Sequence, residues 1–228
     1  MLKVKQVTKA FGNKDVATLA LAGVNLEIYD GELLSIMGPS GCGKSTLLNV
    51  MSGIEAADSG EVWLDDVPLH KLNDKKLSDL RLEQMGFVFQ QYHLIPVLSA
   101  IDNVALPLIA KGMVEVAAHK AAMEALELVG LSDKQLNMPA QLSGGQAQRV
   151  AIARAIAGNA KIVWADEPTG ALDSGNSKQI MDLFRELNSN RRTTFVIVTH
   201  DRQIASRTDR TVYMKNGIIL KEAGDSDD

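Results

Sequence analysis

Two glycine-rich corners in this 228-residue chain carry groups suited to holding phosphate. The first, GPSGCGKST at 38–46, sets Gly38, Gly43, Lys44 and Ser45 in the pattern G-x-x-x-x-G-K-[ST]. Glycines let successive backbone N–H groups curl around phosphate oxygens, the lysine neutralises the β and γ phosphates, and the hydroxyl ligates Mg²⁺. Pro39, Ser40, Gly41, Cys42 and Thr46 complete the loop, and the positive end of a following helix strengthens it. The second corner, LSGGQ at 142–146, places Ser143, Gly144, Gly145 and Gln146 ahead of the helical stretch QAQRVAIARAIAG. Taken alone it reads equally as an ordinary helix start capped by Ser143 and as an anion site. Asp166 and Glu167 close the apolar run IVWA, and His200 follows the apolar run TTFVIVT. An aspartate at such a strand end can hold Mg²⁺, and its neighbouring glutamate can orient an attacking water. His200 lies on the same expected sheet edge, either against a γ-phosphate or as a solvated strand-end histidine.

These groups need a scaffold that brings the strand ends to one edge. Residues 2–8 and 24–29 alternate as strands, and ELLSIMG is a buried strand running straight into the first loop. KSTLLNVMSG has helical spacing and stops at Gly53, after which GEVWLDD returns to strand. From about 92 to 158 the chain turns helical, with AAHKAAMEALELVG ending at Gly130. KIVWA and TTFVIVT then flank the amphipathic SKQIMDLFRELNSN, which predicts parallel strands joined by a helix. TVYMKNGIIL forms a hairpin around Asn216–Gly217, and EAGDSDD is a polar tail. The class is α/β.

Composition narrows the function. A net charge of −4 argues against general nucleic-acid binding. One cysteine and four scattered histidines build neither a disulfide nor a cysteine-rich metal site, which fits a reducing cytoplasm. The start MLKVKQVTKAFG lacks the apolar core of a signal peptide, and no apolar run reaches the roughly 18 residues of a bilayer span. A membrane role would therefore come through a partner.

The ordered series GPSGCGKST, FVFQQ, LSGGQ, IVWADEP, ALD and VTHD resembles an ATP-binding cassette (ABC) ATPase over essentially all of the chain. LSGGQ discriminates, since other phosphate-loop ATPases, kinases and GTPases lack it. The resemblance implies a P-loop NTPase core with a mixed, largely parallel sheet, an N-terminal antiparallel β subdomain and an inserted helical subdomain. The whole is one nucleotide-binding domain, with its core at about 1–91 and 159–228 and its helical part at about 92–158. It further implies ATP and Mg²⁺ as ligands. Phe11 would stack on adenine, Gln90 would touch Mg²⁺ and the attacking water, and Asp166 would support the metal. Glu167 would be the catalytic base, His200 would sense the γ-phosphate, and Asp173 would communicate across a dimer. Ser143, Gly144, Gly145 and Gln146 would be the signature loop. Two positions depart from the common pattern. Phe11 stands where tyrosine is frequent and keeps the π face without the hydroxyl; Ala147 replaces a longer polar residue and removes no phosphate donor.

ADEPTGALD with GFVFQQYHLIPVLSAIDNVALPL is most similar to the lipoprotein-releasing, macrolide-export and antimicrobial-peptide-resistance subgroup. That likeness implies an integral-membrane permease with a large extracytoplasmic domain, room for a periplasmic or surface adaptor, and a place on the cytoplasmic face of the inner or plasma membrane. Tyr92, His93, Leu94 and Ile95 either receive the permease's coupling helix or pack the subdomain boundary. A non-transport cassette switch, as in cell-division signalling, is the competing function; a small-molecule kinase leaves LSGGQ and Glu167 without a task. The first loop already serves its own nucleotide, so the second corner finds a ligand only in a head-to-tail homodimer. There Ser143 and Gly145 of one copy would close over the γ-phosphate held by Lys44 of the other.

Overall fold

The computed structural model describes residues 1–12 and 18–222. Its centre is a six-stranded sheet built on β3 (Leu33–Met37), β6 (Met85–Phe89), β7 (Ile162–Asp166), β8 (Thr194–Thr199), β9 (Arg210–Lys215) and β10 (Ile218–Glu222). The spatial order is β10-β9-β3-β8-β7-β6, parallel except for the β9–β10 hairpin. Near-continuous apolar runs mark strands buried on both faces. Their alternate residues divide accordingly: Leu33, Val163, Ala165, Phe195 and Ile197 join one core cluster. Leu34, Ile36, Ile162, Trp164, Val196 and Val198 join the other.

The second face is covered by α1 (Lys44–Met51) and by a four-stranded antiparallel sheet. That sheet comprises β1 (Leu2–Phe11), β2 (Thr18–Ile28), β4 (Ser59–Leu64) and β5 (Val67–Pro68), in the order β2-β1-β4-β5. The first two strands run longer than the 2–8 and 24–29 expected from alternation. Register shifts along β1, with Gln6 at a φ of 49°, break the period of two and hide the strand ends. The first face carries α3 (Ala100–Ala110), α4 (Glu115–Leu128), α5 (Gly144–Ile156) and α6 (Ser174–Arg191). The short α7 (Arg202–Ala205) follows β8. A helix absent from the sequence reading, α2 (Asp74–Gln84), has no buried residue and so shows no apolar stripe; Asn73 caps it by accepting from the Lys76 N–H. Of the polar tail, Glu222 ends β10 and the remainder lies outside the described residues.

Parallel register places the functional ends together. Met37 pairs with Thr199 and Asp166 with Val198, so Gly38, Glu167 and His200 leave the sheet at one carboxyl edge. Open α/β sheets bind ligands at that edge. No helix among the described residues is long and apolar enough to cross a membrane.

Candidate nucleotide site and the detached second corner

The loop 38–43 fits its place only as glycine at two points. A Cβ on Gly38 would lie 2.1 Å from the Met214 carbonyl oxygen, and one on Gly43 would lie 2.3 Å from that of Ala20. Gly43 also adopts a φ of 105°, a region side-chain-bearing residues avoid. The loop is thereby wedged between β2 and the β9–β10 hairpin, and Gly217 N–H donates to the Cys42 carbonyl at 3.0 Å. Lys44 is buried and curls over the loop, its Nζ donating to the Gly38 and Pro39 carbonyls at 2.9 and 3.0 Å.

A cavity of about 810 Å³ opens over this loop. Pro39 through Thr46 line it together with Gln90, Glu167 and His200. Ser45 Oγ donates to Asp166 Oδ1 at 3.1 Å. Burial raises the Asp166 carboxyl above its ordinary value, the Ser45 hydrogen bond opposes this, and the adjacent Glu167 charge adds to the rise. A hydroxyl and a carboxylate side by side are hard oxygen donors of the kind Mg²⁺ takes, and Gln90 adds an amide at the same cavity. The residues therefore fit the ion.

Glu167 is held from several sides. Its φ of 47° is left-handed, its N–H donates to the Val198 carbonyl at 2.9 Å, and its Oε1 lies 2.9 Å from His200 Nδ1. A non-glycine residue in this region costs about 1–3 kcal/mol and persists where surrounding contacts fix it, commonly at functional sites. The left-handed turn directs the carboxylate into the cavity, where His200, itself exposed, sets its direction.

Phe11 ends β1, is 46% exposed, and has the Lys9 ammonium 5.2 Å from its ring centroid. It does not line the cavity, although its strand partner Thr18 does. Thr18, Leu19, Ala20, Asn216 and Gly217 form a wall that motif reading missed. The Asn–Gly turn was visible in the sequence, but its contact with the loop is long-range and carries no local signal.

LSGGQ lies outside this cavity. Ser143 caps α5 by accepting from the Gln146 N–H at 3.3 Å, and Gln146 Oε1 accepts from the Ser143 N–H at 2.9 Å. Ser143 and Gly144 are exposed. A Cβ on Gly145 would meet Asn176 Oδ1 at 2.6 Å, so this glycine allows close approach to α6. Asp173 caps α6, accepting from the Asn176 N–H at 2.8 Å and from its side-chain amide at 2.6 Å. Those bonds, with the backbone one first, hold its carboxyl below the usual range. Asp173 too is exposed and away from the cavity.

Cys42 is 6% exposed in the cavity floor. Alkylating it is expected to block ATP binding, and MgATP is expected to slow the modification; labelling that leaves binding intact would contradict the proximity argument.

A family model described as "ABC transporter" matches residues 21–170. An uncharacterized ABC transporter ATP-binding protein, MJ0796 of Methanocaldococcus jannaschii, is 46% identical over 226 residues, 97% of this chain and 96% of that one. The lipoprotein-releasing system ATP-binding protein LolD of Bacteroides thetaiotaomicron is 43% identical, covering 97% of this chain and 100% of its own. The macrolide export ATP-binding/permease protein MacB of Pasteurella multocida is 42% identical over 98% of this chain but only 34% of its own. Among solved structures, a dimeric post-hydrolysis state of MJ0796 bound to ADP and Pi superposes with a TM-score of 0.90 at 45% identity, covering 97% of each chain.

Proposed function

This chain belongs to the ABC transporter family, and from that premise we propose how its residues turn ATP hydrolysis into work on a membrane permease. It is an ATP-binding and ATP-hydrolysing subunit. The observation that carries the proposal is the separation of two phosphate corners: one floors a cavity lined by Gln90, Glu167 and His200, and the other stands exposed outside it. Two copies arranged head to tail would bring Ser143 and Gly145 of one over the nucleotide in the other. ATP then favours the closed dimer through contacts that exist only there.

Within each site the loop amides and Lys44 hold the phosphates, Glu167 accepts a proton from the attacking water, and His200 fixes the Glu167 carboxylate. Ser45, Asp166 and Gln90 would hold Mg²⁺, which when bound offsets phosphate charge and orients the transferred group. Asp173, at the head of α6, would face the partner copy. Phe11 would meet the adenine at the cavity's edge beside Thr18.

A mostly apolar groove of about 530 Å³, lined in part by Leu82, Met85, Phe87, Phe89, Leu106 and Pro107, lies where the helical layer meets β6. We assign it to a cytoplasmic helix of the permease, at the boundary between the helical part at about 92–158 and the core at about 1–91 and 159–228. The likeness to LolD and MacB supports a permease with a large extracytoplasmic domain and a periplasmic or surface adaptor, with this subunit on the cytoplasmic face. Lys44→Ala tests the phosphate contact. Loss of charge-assisted hydrogen bonds of about 1.5–3 kcal/mol should weaken ATP binding roughly 10- to 150-fold in a titration. Unchanged affinity would remove the lysine from the site, and with it the loop's assignment.

A further inference from the structure

The turn after Gln90 is built in a conformation that its own residues disfavour. Tyr92 and His93 have φ values of 59° and 46°, two consecutive left-handed residues without a glycine. Chirality penalises each such residue, so something outside the turn must hold it. That something is Arg154 on α5. Its guanidinium donates from Nη1 to the His93 carbonyl at 2.6 Å and from Nη2 to the Tyr92 carbonyl at 2.9 Å. Among the described residues it makes no ion pair with a carboxylate, and burial lowers its pKa. Arg154 is half-buried: it lines the groove beside Phe89 and His93 while its planar head answers the two carbonyls.

The held turn has two other contacts. The His93 ring lies 4.7 Å from Phe89, and both line the apolar groove. The Tyr92 hydroxyl sits where a Cβ on Gly144 would be only 2.8 Å away, so the tyrosine is seated on the glycine beside Ser143. The far end of the same loop is fixed separately: buried Asn103 on α3 bonds the Ile95 N–H and the Ile95, Leu98 and Ser99 carbonyls. One turn therefore touches the groove on one side and the second phosphate corner on the other.

We propose that Arg154 and Tyr92 are positioning residues that couple the 92–93 turn to the signature corner: Arg154 fixes the turn, and the turn seats Tyr92 on Gly144. The inference rests on the head-to-tail reading given above. It also explains an arginine rather than a lysine at 154, since only a planar fork spans two adjacent carbonyls.

The test measures ATP-dependent dimerisation by sedimentation in a Glu167→Gln background, alongside ATP affinity of the monomer and thermal melting. Arg154→Gln and Tyr92→Ala should each raise the ATP or protein concentration needed for dimer roughly tenfold while monomer affinity stays unchanged. The double variant should be no worse than the more severe single, because both act through one turn. Arg154→Lys should recover only part of the loss. A purely structural role would lower the melting temperature and leave the dimer midpoint of the folded fraction in place. Tyr92 is half-buried, so Tyr92→Ala still tests the coupling if Arg154→Gln fails to fold. Unchanged midpoints in the folded variants, or losses that add in the double variant, would overturn the proposal. Ser143→Arg run in parallel separates the two readings. Its failure to dimerise beside unaffected Arg154 and Tyr92 variants defeats the coupling alone, whereas its normal dimerisation defeats the head-to-tail reading and the coupling with it.

Discussion

Glu167→Gln is expected to bind ATP with near-native affinity, to lose steady hydrolysis by about two to four orders of magnitude, and to accumulate as an ATP-bound dimer. The amide is isosteric with the carboxylate and can keep a hydrogen bond to His200, which now stands 2.9 Å from Glu167 Oε1. It cannot take a proton from water. The backbone that aims residue 167 into the cavity is unchanged, because the N–H to Val198 bond and the left-handed φ do not depend on the side chain. Phosphate contacts come from the loop and Lys44, so affinity should hold. Steady-state phosphate release, equilibrium nucleotide binding and size-exclusion chromatography check the three parts. Near-normal turnover would remove Glu167 as the base.

Ser143→Arg is expected to do the opposite: each monomer keeps its nucleotide, but the dimer does not close. Ser143 is exposed and lies outside the cavity of its own chain, so the substitution should leave monomer affinity within twofold or so of the parent. At a head-to-tail interface the long side chain fills the space in which Ser143 and Gly145 must close over the partner's γ-phosphate, and its bulk, not its charge, opposes closure. Such steric mismatches cost a few kcal/mol, which predicts a weakening of dimerisation of at least roughly 30-fold in the Glu167→Gln background. Sedimentation velocity with and without ATP measures it. The loss of the Ser143 cap itself costs only about 1 kcal/mol of helix stability, too little to unfold the domain.

Much of this was legible from local pattern. The first loop is recognisable because four residue types recur at fixed spacing between an apolar strand and a helix, and the structure places the loop between β3 and α1. The parallel strands showed as short apolar runs, the final hairpin as Asn216–Gly217, and α5 as a capping serine followed by helical spacing. What escaped was long-range or hidden by irregularity. Bulges in β1 concealed its length, and α2 buries nothing that could betray it. The cavity wall from Thr18 to Ala20, the Asn176 contact beneath Gly145, and the Arg154 fork over residues 92–93 join positions far apart in the chain. Neither periodicity nor spacing records such pairs.

If each site is completed by the opposite corner of a second copy, two differently defective variants should recover together what neither has alone. Lys44→Ala lacks a working first loop and Ser143→Arg lacks a working second corner, so neither alone can assemble a complete site. Mixed head to tail, one of the two shared sites pairs the intact loop of the Ser143→Arg chain with the intact corner of the Lys44→Ala chain. Sedimentation velocity of differently labelled chains, both carrying Glu167→Gln, should therefore show an ATP-dependent heterodimer that neither variant forms with itself. No dimer in the mixture, while the unmixed Glu167→Gln parent dimerises, would contradict the shared-site account.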